Sequence, residues 1–341
     1  MGARRRLWPA LTLAITVFLS WLALRGVGAR RLGGILLHGV RLPWLVVLLG
    51  LTLVELWLRA RRWSLLLGGP SRAPALELFK LDTIGTAVSN VLFLRLGDLA
   101  RGLLAARKLE IPAATVLASI ALERALDLSV LLAVFTLASA LSPRLVPDRA
   151  RAAGALLLAA AVLALAALAL AEKPLAPEGA FDLRLRRWPR LRALVRQLAA
   201  GAAALRRAAV AGQVIALSLV FWSVDACFYW AAGNCLGIGS ALSYARSLLV
   251  VSWAAAGSAL PSSPGSFGAV EEAVKTIVSS MGVPPDRALA YAFFSHVVGY
   301  LIVTAIGLFC LYRVGIPLAG LRAELSRPSA GSAGETTAAR P

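Results

Sequence analysis

Apolar residues dominate this chain in runs long enough to cross a lipid bilayer, and polar positions gather mostly between those runs. Six runs read as full transmembrane helices, at 7–24, 43–58, 113–138, 152–171, 208–232 and 289–312. Two further stretches do not fit that pattern. The segment 247–281 carries no charge as far as Val270, yet its middle reads ALPSSPGSFG, which no continuous helix accommodates. Pro261 and Pro264 remove backbone donors, Gly265 and Gly268 add backbone freedom, and the serines offer competing hydroxyl bonds. Broken backbone at membrane depth survives only inside protein or beside a water-filled cavity, because unpaired amides are costly in lipid. The segment is therefore expected to be a re-entrant helical hairpin, turning at 261–268 and leaving through a helix that begins with Glu271 and Glu272. Two ordinary helices with an external loop are the alternative.

The stretch 78–108 has a related profile. It starts apolar, is interrupted by Asp82, Thr83, Gly85, Thr86, Ser89 and Asn90, and continues through RLGDLARG into an amphipathic segment. A first re-entrant hairpin is expected here, with its turn at 90–97. The fold class is thus an all-α polytopic membrane protein of about six full spans plus two re-entrant hairpins. Residues 1–325 form one membrane domain, and the Ser-, Ala-, Gly- and Pro-rich tail 326–341 is expected to be disordered.

Charge sets the orientation. Between 172 and 207 lie nine Lys or Arg against three acidic residues, so this linker is placed in the cytoplasm, with both termini on the same side. It serves as a basic topology anchor or lies along the anionic surface. The loops at 25–42 and 141–151, with four and three arginines, fall outside in this arrangement, so the count supports it through the largest loop and opposes it through two short ones. Each half then reads span, span, hairpin, span. The halves 1–140 and 150–313 begin on opposite sides, and corresponding elements are offset by 165 to 176 residues, so inverted repeats are expected.

Composition agrees with a membrane protein, at 59% hydrophobic and 16% charged residues. The net charge of +19 belongs to arginines flanking apolar spans, which points to anionic lipid and away from nucleic acid. Cys227, Cys235 and Cys310 lack metal-ligand or disulfide spacing and are read as packing residues; no metal or cofactor is expected. Gly233 and Gly237 form a GxxxG that permits close helix approach. Glu55 precedes Arg59 by four residues, a same-face pair near the membrane edge. Glu123 and Asp127 share a face of the third full span, with Arg124 adjacent. Asp82, Asp225 and His296 are gating or proton-coupling candidates.

RLGDLARG with LERALDL, and later LPSSPGSFGAVEEAV, resemble the bacterial and archaeal family that includes the flippase-like transmembrane region of lysylphosphatidylglycerol synthetases. Arg61, Arg62 and Trp63 look like its basic-aromatic signature after the second span. The resemblance carries over Asn90, Arg95, Gly97, Asp98, Arg101, Glu123, Arg124, Asp127, Pro264, Gly265, Gly268 and Glu271 or Glu272. Aspartate replaces the usual glutamate at Asp98, a proline after Asn90 is missing, and Ser295-His296 stands where an arginine often begins the last span. It implies translocation of a phospholipid or lipid-linked anionic intermediate, or a non-transporting lipid-binding role beside an envelope glycosyltransferase, in the bacterial cytoplasmic (inner) membrane. Arg95, Arg101 and Arg124 are suited to hold a phosphate, or alternatively to pair with Asp98, Glu123 or Asp127. An intramembrane hydrolase or transferase using a carboxylate or His296 is the enzymatic alternative, although HExxH and GxSxG motifs are absent.

Overall fold

A computed structural model of the protein describes residues 21, 33–35, 39–69, 71–91, 97–170, 187–188, 192, 202–260 and 264–314. The expected first span, most of the basic linker and the tail lie outside these residues. The described chain is an all-α bundle. Its helices are α1 (Leu42–Leu66), α2 (Ala75–Val91), α3 (Gly97–Lys108), α4 (Ala113–Leu141), α5 (Asp148–Leu170), α6 (Ala208–Cys235), α7 (Tyr244–Ala259), α8 (Ala269–Ser280) and α9 (Pro285–Val314). Short 3-10 turns occupy Ala202–Arg206 and Pro264–Ser266.

Four of these helices, α1, α5, α6 and α9, are long and apolar enough to cross a membrane. α4 has the length as well, at 29 residues, but carries Glu123, Arg124 and Asp127 in its middle. α5 shows why the alanine and leucine run needs no partner all round: Leu156, Leu157, Leu163 and Leu170 are exposed, as suits a face in contact with lipid acyl chains. In contrast, α3 and α8 have 12 residues each, about 18 Å of helix, against roughly 30 Å of hydrocarbon.

Two helical hairpins result, and each has a close crossing made by glycine. In the first, a side chain on Gly97 would collide with the Gly85 carbonyl, so α2 and α3 meet backbone to backbone. In the second, a Cβ on Gly257 would stand 2.7 Å from the Ala269 carbonyl oxygen. The break between α7 and α8 follows from the expected residues. Gly265 and Gly268 have φ of 71° and 85°, in the left-handed region that other residues avoid. Glu271 then caps α8, its carboxylate accepting the Gly268 N–H at 2.6 Å.

Packing follows a paired scheme. α1 lies against α6; α2 packs on α9 while α7 packs on α4; and each hairpin also touches the long helix that precedes it. One apolar core joins α4, α6, α7, α8 and α9, and a second joins α1, α2, α3 and the start of α4 to the end of α9. Cys235 and Cys310 sit in these cores as free thiols.

Three local expectations change. α1 runs eight residues beyond Leu58, so Arg59, Arg61, Arg62 and Trp63 lie within the helix and not after it. Arg59 and Arg62 are tolerated there because other helices supply carboxylates, and Arg61 is on the exposed side of the helix. Arg59 consequently pairs with Asp82 at 3.2 Å, not with Glu55. Gly237 is not part of a helix-packing GxxxG, because it has φ of 72° just past the end of α6 and serves the turn.

Candidate functional site

α1, α2, α3 and α4 each direct charged groups into one interior cluster. Glu123, fully buried on α4, is at its centre: Oε1 meets Arg62 Nη2 at 3.1 Å and Oε2 meets Arg101 Nη2 at 3.3 Å. Arg62 also donates to Asp127 at 2.6 Å and to the Ser218 hydroxyl on α6 at 3.0 Å. Arg101 closes the other side, paired with Asp82 and, at 3.0 Å, with Asp98. Its guanidinium lies 4.8 Å from the centre of the Trp63 ring, and the Trp63 indole donates to Ser119 at 3.0 Å.

The cluster balances its charge. Arg59, Arg62, Arg101 and Arg124 face Asp82, Asp98, Glu123 and Asp127. Such compensation is required, because removing one partner from a buried pair costs about 3–5 kcal/mol. Burial is uneven, however. The side chains of Arg62 and Arg101 are 1% exposed, whereas Arg124 is 48% and Asp98 40% exposed. Arg124 holds Asp98 through two hydrogen bonds, of 2.9 and 3.2 Å. The cluster thus has an enclosed interior and one open end, beside the first turn of α3.

A cavity of about 220 Å³ lies between α1, α2, α6 and α9. Glu55, Asn90, Asp225, Tyr229, His296 and Tyr300 contribute to its wall. One carboxylate oxygen of Glu55 is buried there with no hydrogen-bond partner among the described residues. Around the cavity the end of α2 and the turn before α8 approach each other. Asn90, one residue from the end of α2, donates to Thr304 at 2.9 Å, and its carbonyl accepts from Tyr300 at 3.2 Å. At the second hairpin, Glu271 Oε1 on α8 is 2.7 Å from His296 Nδ1 on α9.

The sequence-derived candidates therefore separate into distinct places. Asp82, Asp98, Arg101, Glu123, Arg124 and Asp127 come together in the charged cluster. Asn90, Asp225 and His296 line the cavity. Glu271, Gly265 and Gly268 shape the second break, while Glu272 turns toward Thr276 at 3.2 Å and Lys275 at 3.6 Å. Pro264 opens the 3-10 turn of that break. Arg95 and Pro261 lie outside the described residues.

Sequence reading missed Arg59 and Arg62 as cluster members, Glu55 as a cavity wall residue, and Tyr300 with Thr304 as partners of Asn90. The signals were present: Arg59 and Arg62 are three residues apart on one apolar helix, and His296, Tyr300 and Thr304 recur every four residues.

No curated protein and no solved structure matches the chain. The family model of the lysylphosphatidylglycerol synthase TM region matches residues 10–307, most of the chain, including the charged cluster, both hairpins and the cavity. The chain belongs to that family, and it is a flippase-like, lipid-translocating, multi-pass bacterial membrane protein.

Proposed function

We propose that the protein moves a phospholipid or lipid-linked intermediate with an anionic headgroup, and that Arg124 is the first residue to hold its phosphate. The observation that carries this reading is the half-exposed Arg124 and Asp98 pair at the open end of an otherwise buried and neutral cluster. A phosphate replaces Asp98 as the bidentate partner of the guanidinium, next to the N-terminal end of α3, where the helix dipole favours an anion. Arg101 positions this end from below, since its own donors are taken by carboxylates. Arg95, two residues before α3, is assigned to the same headgroup contact.

In this reading α2 with α3, and α7 with α8, are re-entrant hairpins within about six full spans. Their short helices and glycine crossings support it. The exchange of contacts, α2 on α9 and α7 on α4, is what inverted halves 1–140 and 150–313 would produce about an axis near the α1 and α6 contact. The cavity between the halves is then a stage of the route, with Asp225 and His296 on its wall as gating groups. The nine basic residues of 172–207 favour a cytoplasmic linker and cytoplasmic termini, in the inner membrane. An envelope glycosyltransferase is the proposed consumer of the moved lipid.

Purified protein in proteoliposomes, with fluorescent phosphatidylglycerol quenched from outside, tests the assignment. Wild type is expected to expose inner-leaflet lipid to the quencher, and Arg124→Ala to slow this on the order of tenfold, the loss of one charge-assisted bidentate contact. Unchanged transport in Arg124→Ala rejects the headgroup role. Specific lipid binding without any transport in wild type would leave the accessory role as the reading.

A further inference from the structure

α9 touches both helix breaks with one face. His296, Tyr300 and Thr304 are spaced by four residues, so they stack along that face over two turns. Each break leaves backbone groups unpaired, which is costly at membrane depth. At the end of α2, the Asn90 carbonyl is satisfied by the Tyr300 hydroxyl, at 3.2 Å, while the Asn90 amide donates to Thr304, at 2.9 Å. At the start of α8, the Gly268 N–H is satisfied by Glu271, and the second oxygen of that carboxylate meets His296, at 2.7 Å. The rings extend the contact. Phe267 stacks on His296 with centroids 4.7 Å apart and meets Tyr300 edge-on at 5.5 Å. Tyr300 also lies so close to Gly265 that a Cβ there would stand 2.9 Å from its ring.

Tyr300 is thus shared. Its hydroxyl ties down the first hairpin and its ring rests on the turn of the second, beside a cavity that Asn90, His296 and Tyr300 all line. We infer that the His296, Tyr300 and Thr304 face of α9 is a clasp that holds the end of α2 and the start of α8 together and closes the lipid route at the cavity. The structure represents the clasped state. Passage of a headgroup requires these two helix ends to leave α9, exchanging these bonds for bonds to the headgroup or to water that enters with it. The clasp presupposes the lipid route proposed above, yet its opening is measurable without any lipid transport.

Two measurements test it, in a background with Cys227, Cys235 and Cys310 changed to alanine. In the first, Thr86→Cys reports on the cavity wall and Ala226→Cys on the buried core, each reacted with a small membrane-impermeant thiol reagent. Adding Tyr300→Phe and Thr304→Val removes two hydrogen bonds with little change in volume, and is expected to speed labelling at residue 86 at least about fivefold. Labelling at residue 226 stays at its background rate. An unchanged rate at residue 86, or an equal gain at residue 226, overturns the clasp. In the second measurement, Asn90→Cys and Thr304→Cys are joined by a short reducible cross-linker in the proteoliposomes. Joining is expected to stop lipid movement and reduction to restore it; undiminished movement in the joined protein overturns the clasp. If wild type moves no lipid at all in the same proteoliposomes, the transport reading falls, and the labelling rates still decide the clasp.

Discussion

Replacing Arg101 by alanine removes a guanidinium that is 1% exposed and contacts three carboxylates. Asp98 keeps Arg124, but Asp82 retains only Arg59, and Glu123 retains Arg62 with Arg59 at 4.0 Å. Asp82 and Glu123 are 1% and 0% exposed, so neither recovers hydration when its partner leaves. Leaving such charges short of a partner costs about 3–5 kcal/mol, and the surviving arginines place this variant toward the lower value. The lost stacking on Trp63 adds about 1 kcal/mol. The total is about 4 kcal/mol, and at roughly 2 °C per kcal/mol for a domain of this size the melting temperature in nanodiscs should fall by about 8 °C. Arg124→Ala should fall by less in the same assay, because Asp98 keeps Arg101 at 3.0 Å and no fully enclosed carboxylate loses its nearest partner. Adding Asp82→Asn to Arg101→Ala should recover part of the loss, because it removes the stranded charge. Equal shifts for the two arginine variants, or no recovery in the double variant, would refute the division into an enclosed interior and an open end.

Other expectations test other links. Gly97→Ala places a methyl group against the Gly85 carbonyl and should lower the melting temperature more than Gly212→Ala, where the surroundings are open. Glu271→Ala leaves the Gly268 N–H and His296 without their partner at the second break; a loss of about 1–3 kcal/mol by denaturant unfolding is expected, and Glu271→Gln should retain part of it. Trp63→Phe keeps an aromatic face for Arg101 but removes the hydrogen bond to Ser119, so a loss near 1 kcal/mol is expected, smaller than for Arg101→Ala. Arg124→Lys should resemble Arg124→Ala in lipid transport more closely than wild type, since an ammonium cannot reproduce a bidentate contact.

Hydrophobic run length alone located every described long helix, with ends displaced by a few residues. The longest displacement was at α1, where a run ended by arginines was read as the end of a span. That error is informative, because helix propensity permits arginine and only partners elsewhere decide whether it can be buried. Both interrupted stretches were also legible, from prolines, glycines and polar side chains whose local effect on the backbone needs no tertiary context. The side chains of Glu123 and Asp127 were assigned to one face by helical periodicity, and both meet Arg62.

The chain by itself determined what is governed by neighbours along it: membrane-length helices, the two breaks, the faces on which charges fall, and the family motifs. Tertiary structure decided the pairings. Nothing local tells Arg59 to prefer Asp82, 23 residues away, over Glu55, one turn away, nor brings Asn90 to Tyr300 across 210 residues. Coulomb attraction and the need to satisfy broken backbone act through space, with strengths set by burial. Burial is a property of the assembled bundle, which leaves Arg101 enclosed and Arg124 open although both are arginines on neighbouring helices.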